Sequence, residues 1–164
     1  MKAVVNMSIN SVSISNNIQG LRQSFTRDEY VSPAIFAHEM EEIFAKRWNF
    51  VGRAEQLAHI GDRLVVEVGN ESILIVRNRE GELRAYYNVC QHRGSQLCDK
   101  SGSGFGAAIT CPYHSWSYSL EGKLVSAIHH DKESFDRDSI SLTQVRVDEW
   151  QGNMFVCLND DEES

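Results

Sequence analysis

The sequence predicts a mainly β, antiparallel domain that is preceded by one N-terminal helix. Short runs rich in Val, Ile and Leu recur along residues 49–159, with glycine-containing turns between many of them. One stretch ahead of these runs has helical periodicity instead. Several short strands at regular spacing are typical of an antiparallel all-β domain. At 164 residues the chain has the length of a single domain with a proper core.

The helix is predicted over residues 32–48. Ser32 is a suitable N-cap, and Pro33 suits the first helical position. Large apolar residues then recur at helical spacing, and we expect them to be buried against the domain; they are Ile35, Phe36, Met40, Ile43, Phe44 and Trp48. Residues 1–28 show no firm periodicity and are predicted to be a disordered tail.

The strands are predicted from alternating apolar runs bounded by turn residues. Their predicted ranges are 63–68, 72–77, 83–89, 107–110, 115–120, 123–125, 142–150 and 153–159. The third of these strands leads directly into Cys90, and the fourth leads directly into Cys111. We therefore expect both cysteines to lie in loops at strand ends.

Two short segments each carry one cysteine and one histidine. They read Cys90-Gln-His92-Arg-Gly and Cys111-Pro-Tyr-His114-Ser-Trp, with 18 residues between His92 and Cys111. Two such loops suit a dinuclear centre better than a single ion. If the loops face each other, the two cysteines can hold one iron and the two histidines the other, which is the ligand set of a Rieske [2Fe–2S] cluster.

Zinc is the alternative for this pattern, since it also binds two cysteines and two histidines. Structural zinc sites usually pair like with like, however, and Cys-x-His is tighter than zinc-finger spacing. A second metal site at His129-His130-Asp131 is also suggested by the 2-His-1-carboxylate triad of oxygenases. Adjacent residues rarely point to the same centre, so we expect these three to be loop residues.

The pattern Cys90-x-His92-Arg93-Gly94 followed by Cys111-Pro112-Tyr113-His114-x-Trp116 resembles the Rieske domain of ring-hydroxylating oxygenase alpha subunits, the Rieske non-heme iron oxygenases. The similarity runs from about residue 30 to about residue 159. It is closest to the branch that acts on quaternary amines such as choline and on some aromatic acids. The resemblance implies a Rieske-type β domain over residues 29–160, with cluster loops at 90–94 and 111–116. It also implies one [2Fe–2S] cluster, held by Cys90, His92, Cys111 and His114.

The respiratory branch of Rieske proteins is a poorer match. Its two loops are joined by a disulfide, and here the corresponding positions are Ser95 and Tyr113. Its serine donor to the cluster sulfur is replaced by Trp116, so we expect few donors to the sulfurs and a low reduction potential. Ser115 stands where the oxygenase family most often has glycine, which predicts a slightly reshaped second loop.

The function that the resemblance implies is a relay of single electrons from a reductase or ferredoxin to a non-heme iron oxygenase centre. In the family, the mononuclear Fe(II) is bound by a C-terminal catalytic domain, and we expect that domain to be absent here. Fe(II) would then come from a partner such as an oxygenase catalytic subunit, and homo-oligomers are compatible with the family's trimers. No catalytic residue is assigned. A free-standing Rieske ferredoxin and a zinc-bound interaction module are the alternatives.

Composition indicates which kinds of partner and which compartment to expect. The net charge of −7 argues against a nucleic-acid partner. No stretch approaches the ~20 apolar residues that span a bilayer, so no membrane partner is expected. Of the four cysteines, Cys98 and Cys157 are not claimed as ligands, and we expect both to be free thiols in a reducing compartment. The expected location is cytoplasmic.

Overall fold

The computed structural model describes residues 25–102, 104–128 and 136–160. His129, His130 and Asp131 lie outside the described residues, as does most of the predicted tail. The loop assignment of the first three and the disorder of the tail therefore stay predictions.

The chain divides into two units, Met1–Ser32 and Pro33–Ser164. The described part of the first unit contains a short helix, α1 (Arg27–Val31), which begins inside the predicted tail. Its start carries a capping box, in which the Thr26 side chain accepts from the Glu29 N–H and the Glu29 carboxylate accepts from the Thr26 N–H. Ser32 ends the helix in an extended conformation, the conformation favoured before a proline.

In the second unit, Pro33 is the first residue of helix α2 (Pro33–Glu39), as predicted. The chain continues as a π-helical segment, Met40–Phe44, where the Ala45 N–H donates to the Met40 carbonyl at 3.0 Å. The end of this segment lies over Gly69, because a Cβ on Gly69 would be 3.7 Å from the Phe44 Cβ.

The prediction that the apolar stripe of this helix is buried is wrong. No residue of α2 or of the π-helical segment is buried, and Phe36 and Ile43 are 59% and 50% exposed. A π-helical turn contains more residues than an α-helical turn. The π-helical segment therefore moves the later residues of the stripe off the face that α2 sets, while Phe36 is already exposed within α2.

The main element of the second unit is a six-stranded sheet in the order β1-β9-β8-β4-β3-β2, with every neighbouring pair antiparallel. Its strands are β1 (Asn49–Arg53), β2 (Arg63–Val68), β3 (Glu71–Arg77), β4 (Leu83–Tyr87), β8 (Gln144–Trp150) and β9 (Asn153–Cys157). A smaller antiparallel sheet has the order β5-β6-β7, formed by Ala108–Thr110, Ser117–Ser119 and Leu124–Ser126. The mainly β, antiparallel fold is thus confirmed, and the bounds of β2 to β9 are close to those predicted, whereas β1 was not among the predicted strands.

Strand β3 separates two hydrophobic cores. Leu74 and Val76 pack into one core together with the residues of the smaller sheet, while Ile73 and Ile75 pack into the other. All four side chains are fully buried, so β3 is a continuous apolar run instead of an alternating one. The first core is the one that contains the cysteines of both predicted cluster loops.

Tyr86 of β4 connects the six-stranded sheet to the smaller one. Its hydroxyl donates to the Leu120 carbonyl at 3.0 Å, and its ring lies against Gly122 in the β6–β7 turn. A Cβ at Gly122 would be 2.6 Å from that ring, so only glycine permits this approach. None of the helices in the described residues has the length and hydropathy of a membrane span.

Candidate metal centre

The first cluster loop, residues 90–95 (loop 1), follows strand β4. It closes on itself through two backbone hydrogen bonds, from the Cys90 N–H to the Ser95 carbonyl at 2.8 Å and from the Gly94 N–H to the Cys90 carbonyl at 3.0 Å. Gly94 has a φ of +68°, a left-handed conformation that glycine adopts at no steric cost. Within this turn, Cys90 is buried and His92 is half-buried.

The second cluster loop, residues 111–116 (loop 2), connects β5 to β6. The Cys111 N–H donates to the Trp116 carbonyl at 2.8 Å, and the Ser115 N–H donates to the Cys111 carbonyl at 3.1 Å. Ser115 has a φ of +57°, so a serine occupies the left-handed position of this loop. A slightly reshaped loop was expected at Ser115; both backbone hydrogen bonds form, with Ser115 in an unfavourable left-handed conformation.

A buried asparagine, Asn88, fixes the return of the chain after loop 1. Its amide donates to the Cys98 carbonyl at 2.6 Å, and its side-chain oxygen accepts from the Cys98 N–H at 3.0 Å. The same amide lies 3.3 Å from the Ser72 hydroxyl on β3. Asn88 therefore anchors both ends of the segment that carries loop 1 to the six-stranded sheet.

The two loop cysteines lie at the base of the site, and each is only 2% exposed. Burial raises the pKa of the Cys90 thiol, while hydrogen bonds from the Tyr118 hydroxyl and the His92 backbone N–H act to lower it. The Cys111 thiol is close enough to Cys90 to raise that pKa further. Two buried thiols side by side favour ionisation only when a metal cation compensates the charge.

Tyr118 of β6 contacts loop 1 at its buried end, next to Cys90. Its hydroxyl is 3.2 Å from the Cys90 Sγ and accepts from the Gln91 N–H at 3.1 Å. Burial raises the pKa of Tyr118, so this group stays a neutral hydroxyl. Once Cys90 is a thiolate, the hydroxyl donates to it. The expectation of few donors to the sulfurs therefore missed Tyr118.

The two loop histidines meet at the outer end of the site. The rings of His92 and His114 are 4.8 Å apart between centroids, with an interplanar angle of 77°. Both side chains are half-buried. Tyr113, which is exposed, lies against His114 with 3.7 Å between the ring centroids.

The sequence-predicted ligands are thus brought together as two pairs, buried thiols below and half-buried imidazoles above. Across the described residues, no group of three or more His, Cys, Asp and Glu side chains could hold one metal ion. In a Rieske cluster each iron has only two protein ligands, which are two cysteines on one iron and two histidines on the other. The donor set therefore fits a dinuclear cluster better than a mononuclear ion.

All four cysteines, Cys90, Cys98, Cys111 and Cys157, are free thiols. No disulfide joins Cys98 to Cys157 in the structure. The Cys98 thiol lies 3.1 Å from the Lys100 carbonyl, and the Cys157 thiol lies 3.6 Å from the Lys46 carbonyl.

Comparison with known proteins identifies the class. The family model of the Rieske [2Fe-2S] domain matches residues 47–147. The chain therefore belongs to the Rieske [2Fe–2S] domain family, and the predicted [2Fe–2S] cofactor is confirmed at that level.

The relatives are oxygenase subunits. The carnitine monooxygenase oxygenase subunit of Acinetobacter baumannii is 40% identical over 138 residues, which cover 84% of this chain and 37% of that protein. The glycine betaine monooxygenase oxygenase subunit of Chromohalobacter salexigens is 41% identical over 131 residues, covering 80% of this chain and 29% of that protein. The chain thus spans 37% of the length of the first relative and 29% of the length of the second.

Solved structures agree on the fold. The quaternary ammonium Rieske monooxygenase CntA, in complex with L-carnitine, superposes with a TM-score of 0.77 at 40% identity, covering 84% of this chain and 39% of that one. Naphthalene 1,2-dioxygenase with bound indole superposes with a TM-score of 0.70 at 29% identity, covering 77% of this chain and 29% of that one. The recognised resemblance to Rieske oxygenase alpha subunits, over an N-terminal part of their length, is confirmed.

Proposed function

We propose that Cys90 and Cys111 hold one iron of a [2Fe–2S] cluster and that His92 and His114 hold the other. The observation that carries this assignment is the stacking of two pairs, with the thiols buried side by side and the imidazoles 4.8 Å apart above them. When bound, such a cluster takes up and passes on one electron at a time. The domain that does this is residues 29–160.

The chain's own residues shape this relay. The buried core around both cysteines excludes water from the base of the site, while the half-buried histidines reach towards solvent. Electrons therefore enter and leave at the histidine end. Tyr118 and the His92 backbone N–H donate to the Cys90 sulfur and favour the more negative, reduced state.

The proposed electron donor is a reductase or ferredoxin, and the proposed acceptor is a mononuclear non-heme iron oxygenase centre. This proposal is supported by what the relatives are, namely carnitine and glycine betaine monooxygenase oxygenase subunits. Inter-subunit electron transfer is described for a quaternary ammonium Rieske monooxygenase that is 40% identical. A quaternary amine is accordingly the proposed substrate class of the oxygenase that this domain serves. The proposed setting is the cytoplasm, as the free thiols favour a reducing compartment.

The experiment is a metal and spectral assay of the anaerobically purified protein, with matched variants. We expect a red-brown protein with about two irons and two sulfides, EPR-active only when reduced. Cys111→Ser and His114→Ala should abolish the signal, while His38→Ala and His59→Ala, which remove imidazoles outside the loops, should leave it intact.

Three outcomes separate this proposal from its alternatives. A colourless protein with about one bound zinc would establish the zinc module instead. A cluster that survives Cys111→Ser and His114→Ala would mean that other residues are the ligands. A loaded protein that reduces a generic electron acceptor, but passes no electrons to the iron of a quaternary amine oxygenase, would indicate a free-standing ferredoxin.

A further inference from the structure

The indole of Trp116 lies face to face with the imidazole of His92. The two ring centroids are 4.7 Å apart and the planes differ by only 13°. Trp116 belongs to loop 2 and His92 belongs to loop 1, so this contact crosses from one loop to the other. The His114 ring also contacts His92, with 4.8 Å between the centroids and 77° between the planes, so His92 contacts two rings of loop 2.

Trp116 is a rigid support for this contact. Its side chain is 5% exposed and packs into the core that contains both loop cysteines. Its backbone is fixed as well, because its carbonyl accepts the hydrogen bond that closes loop 2. A side chain held in this way at both backbone and ring has little freedom to follow a moving partner.

His92, in contrast, stands on a short turn. The second side-chain torsion of a histidine is broad, so an imidazole at a loop tip samples many orientations. A metal ligand must point one nitrogen at the metal, and restricting its ring beforehand reduces the entropy lost on binding. Stacking on a fixed indole restricts the ring in this way.

The base of the site has its own cross-loop contact, from Tyr118 to Cys90 and Gln91. All four cysteines are free, so the loops are not joined by a disulfide. We propose that Trp116 is a positioning residue that braces loop 1 against loop 2 at the histidine end and holds the His92 imidazole in its ligand orientation. This inference rests on the proposed function, in which His92 is an iron ligand.

The test compares two substitutions at this position in the cluster-loaded protein. Trp116→Phe keeps an aromatic face for His92, whereas Trp116→Leu keeps an apolar side chain but removes the ring. The measurements are the rate of iron loss to excess chelator under anaerobic conditions and the EPR line shape of the reduced protein. Neither depends on turnover.

We expect Trp116→Leu to lose iron about 10-fold faster or more and to give a broadened signal, because the supports of metal ligands affect metal affinity by about 10–100-fold. Trp116→Phe should recover most of the difference, staying within about 3-fold of the parent protein, since a smaller ring still stacks. Trp150→Leu makes the same change at an exposed tryptophan on β8 and should leave both measurements unchanged.

A second control separates positioning from general loosening of the core. Leu124→Ala opens a cavity in the same core without removing the stacked ring. The proposal is overturned if Trp116→Leu retains iron as the parent protein does. It is also overturned if Leu124→Ala, at a comparable loss of thermal stability, releases iron as fast with the same EPR change. A parent protein that carries no iron and sulfide would refute the proposed function itself, and this would be seen before any variant is made.

Discussion

Loop 1 and loop 2 have the same backbone hydrogen bonds but differ at one position of the turn. In both loops the cysteine N–H donates to the carbonyl five residues later, and its carbonyl accepts from the N–H four residues later. That fourth position is left-handed in both, with φ of +68° at Gly94 and +57° at Ser115. The same turn is thus built once with an unstrained residue and once with a strained one. The turn of loop 2 therefore has a cost in stability, the left-handed strain at Ser115, that the turn of loop 1 does not have.

The loops also differ in what supports them. Loop 1 depends on the Asn88 side chain, which reaches from the six-stranded sheet to both the N–H and the carbonyl of Cys98. Loop 2 is the connection of the β5–β6 hairpin, and the backbone ladder of that hairpin supports it directly. A side-chain anchor can be removed by one substitution, whereas a backbone ladder cannot. The following predictions test these two differences, from the largest expected effect to the smallest.

Asn88→Ala should have the largest effect of the changes that test this comparison. It leaves the Cys98 N–H and carbonyl without their partner in a buried site, and each unsatisfied group costs about 1–3 kcal/mol. We expect a loss of about 3 kcal/mol in the free energy of unfolding, measured by urea denaturation with tryptophan fluorescence.

The matched control for this change is Thr110→Ala in the stem of loop 2. The Thr110 hydroxyl meets the Ser117 hydroxyl at 3.0 Å in an exposed position, so its loss should cost about 0.5 kcal/mol or less. Equal losses for the two variants would contradict the idea that only loop 1 depends on a side-chain anchor.

Gly94→Ala should cost about 1 kcal/mol, because the penalty of about 1–2 kcal/mol for an ordinary residue in the left-handed region is partly offset by the smaller freedom of alanine in the unfolded chain, about 0.5–1 kcal/mol. A Cβ at Gly94 would meet no atom within 4 Å, so no steric clash in the folded protein adds to this loss. Gly94→Asn is the control, because asparagine tolerates this conformation better. Urea denaturation should place it between the parent protein and Gly94→Ala. If both variants were as stable as the parent, strain would not distinguish the two loops.

Tyr118→Phe should lower the reduction potential of the bound cluster. The hydroxyl is 3.2 Å from the Cys90 sulfur and, as a donor, favours the more negative reduced state. One hydrogen bond of about 0.5–1.5 kcal/mol corresponds to about 20–60 mV for a one-electron couple. Redox titration monitored by EPR measures the shift. The control is Tyr113→Phe, which removes an exposed hydroxyl at the histidine end and should leave the potential unchanged. A higher potential in Tyr118→Phe would contradict the role of Tyr118 as a hydrogen-bond donor to the Cys90 sulfur.

The sequence was most informative where structure depends on local pattern. Most strands and turns followed from apolar runs and glycines, and the four proposed ligands followed from two short motifs. Contacts between distant positions were not predictable in this way. Tyr118 lies 28 residues from Cys90, and Asn88 lies 10 residues from Cys98, so no short motif records either pair. The helix stripe was misjudged because hydrophobic periodicity shows which residues share a helix face, but not whether another element covers that face.

Ser115→Gly should stabilise the protein slightly and make the two loops alike. Relief of the left-handed strain, about 1–2 kcal/mol, is partly offset by the greater freedom that glycine has in the unfolded chain, about 0.5–1 kcal/mol. We expect a net gain of about 0.5–1 kcal/mol in urea denaturation. Ser115→Ala keeps the Cβ and the strain, so it should give no gain. If glycine destabilised the loop instead, the serine at this position would contribute an interaction that outweighs its backbone strain, and loop 2 would be held by more than its hairpin.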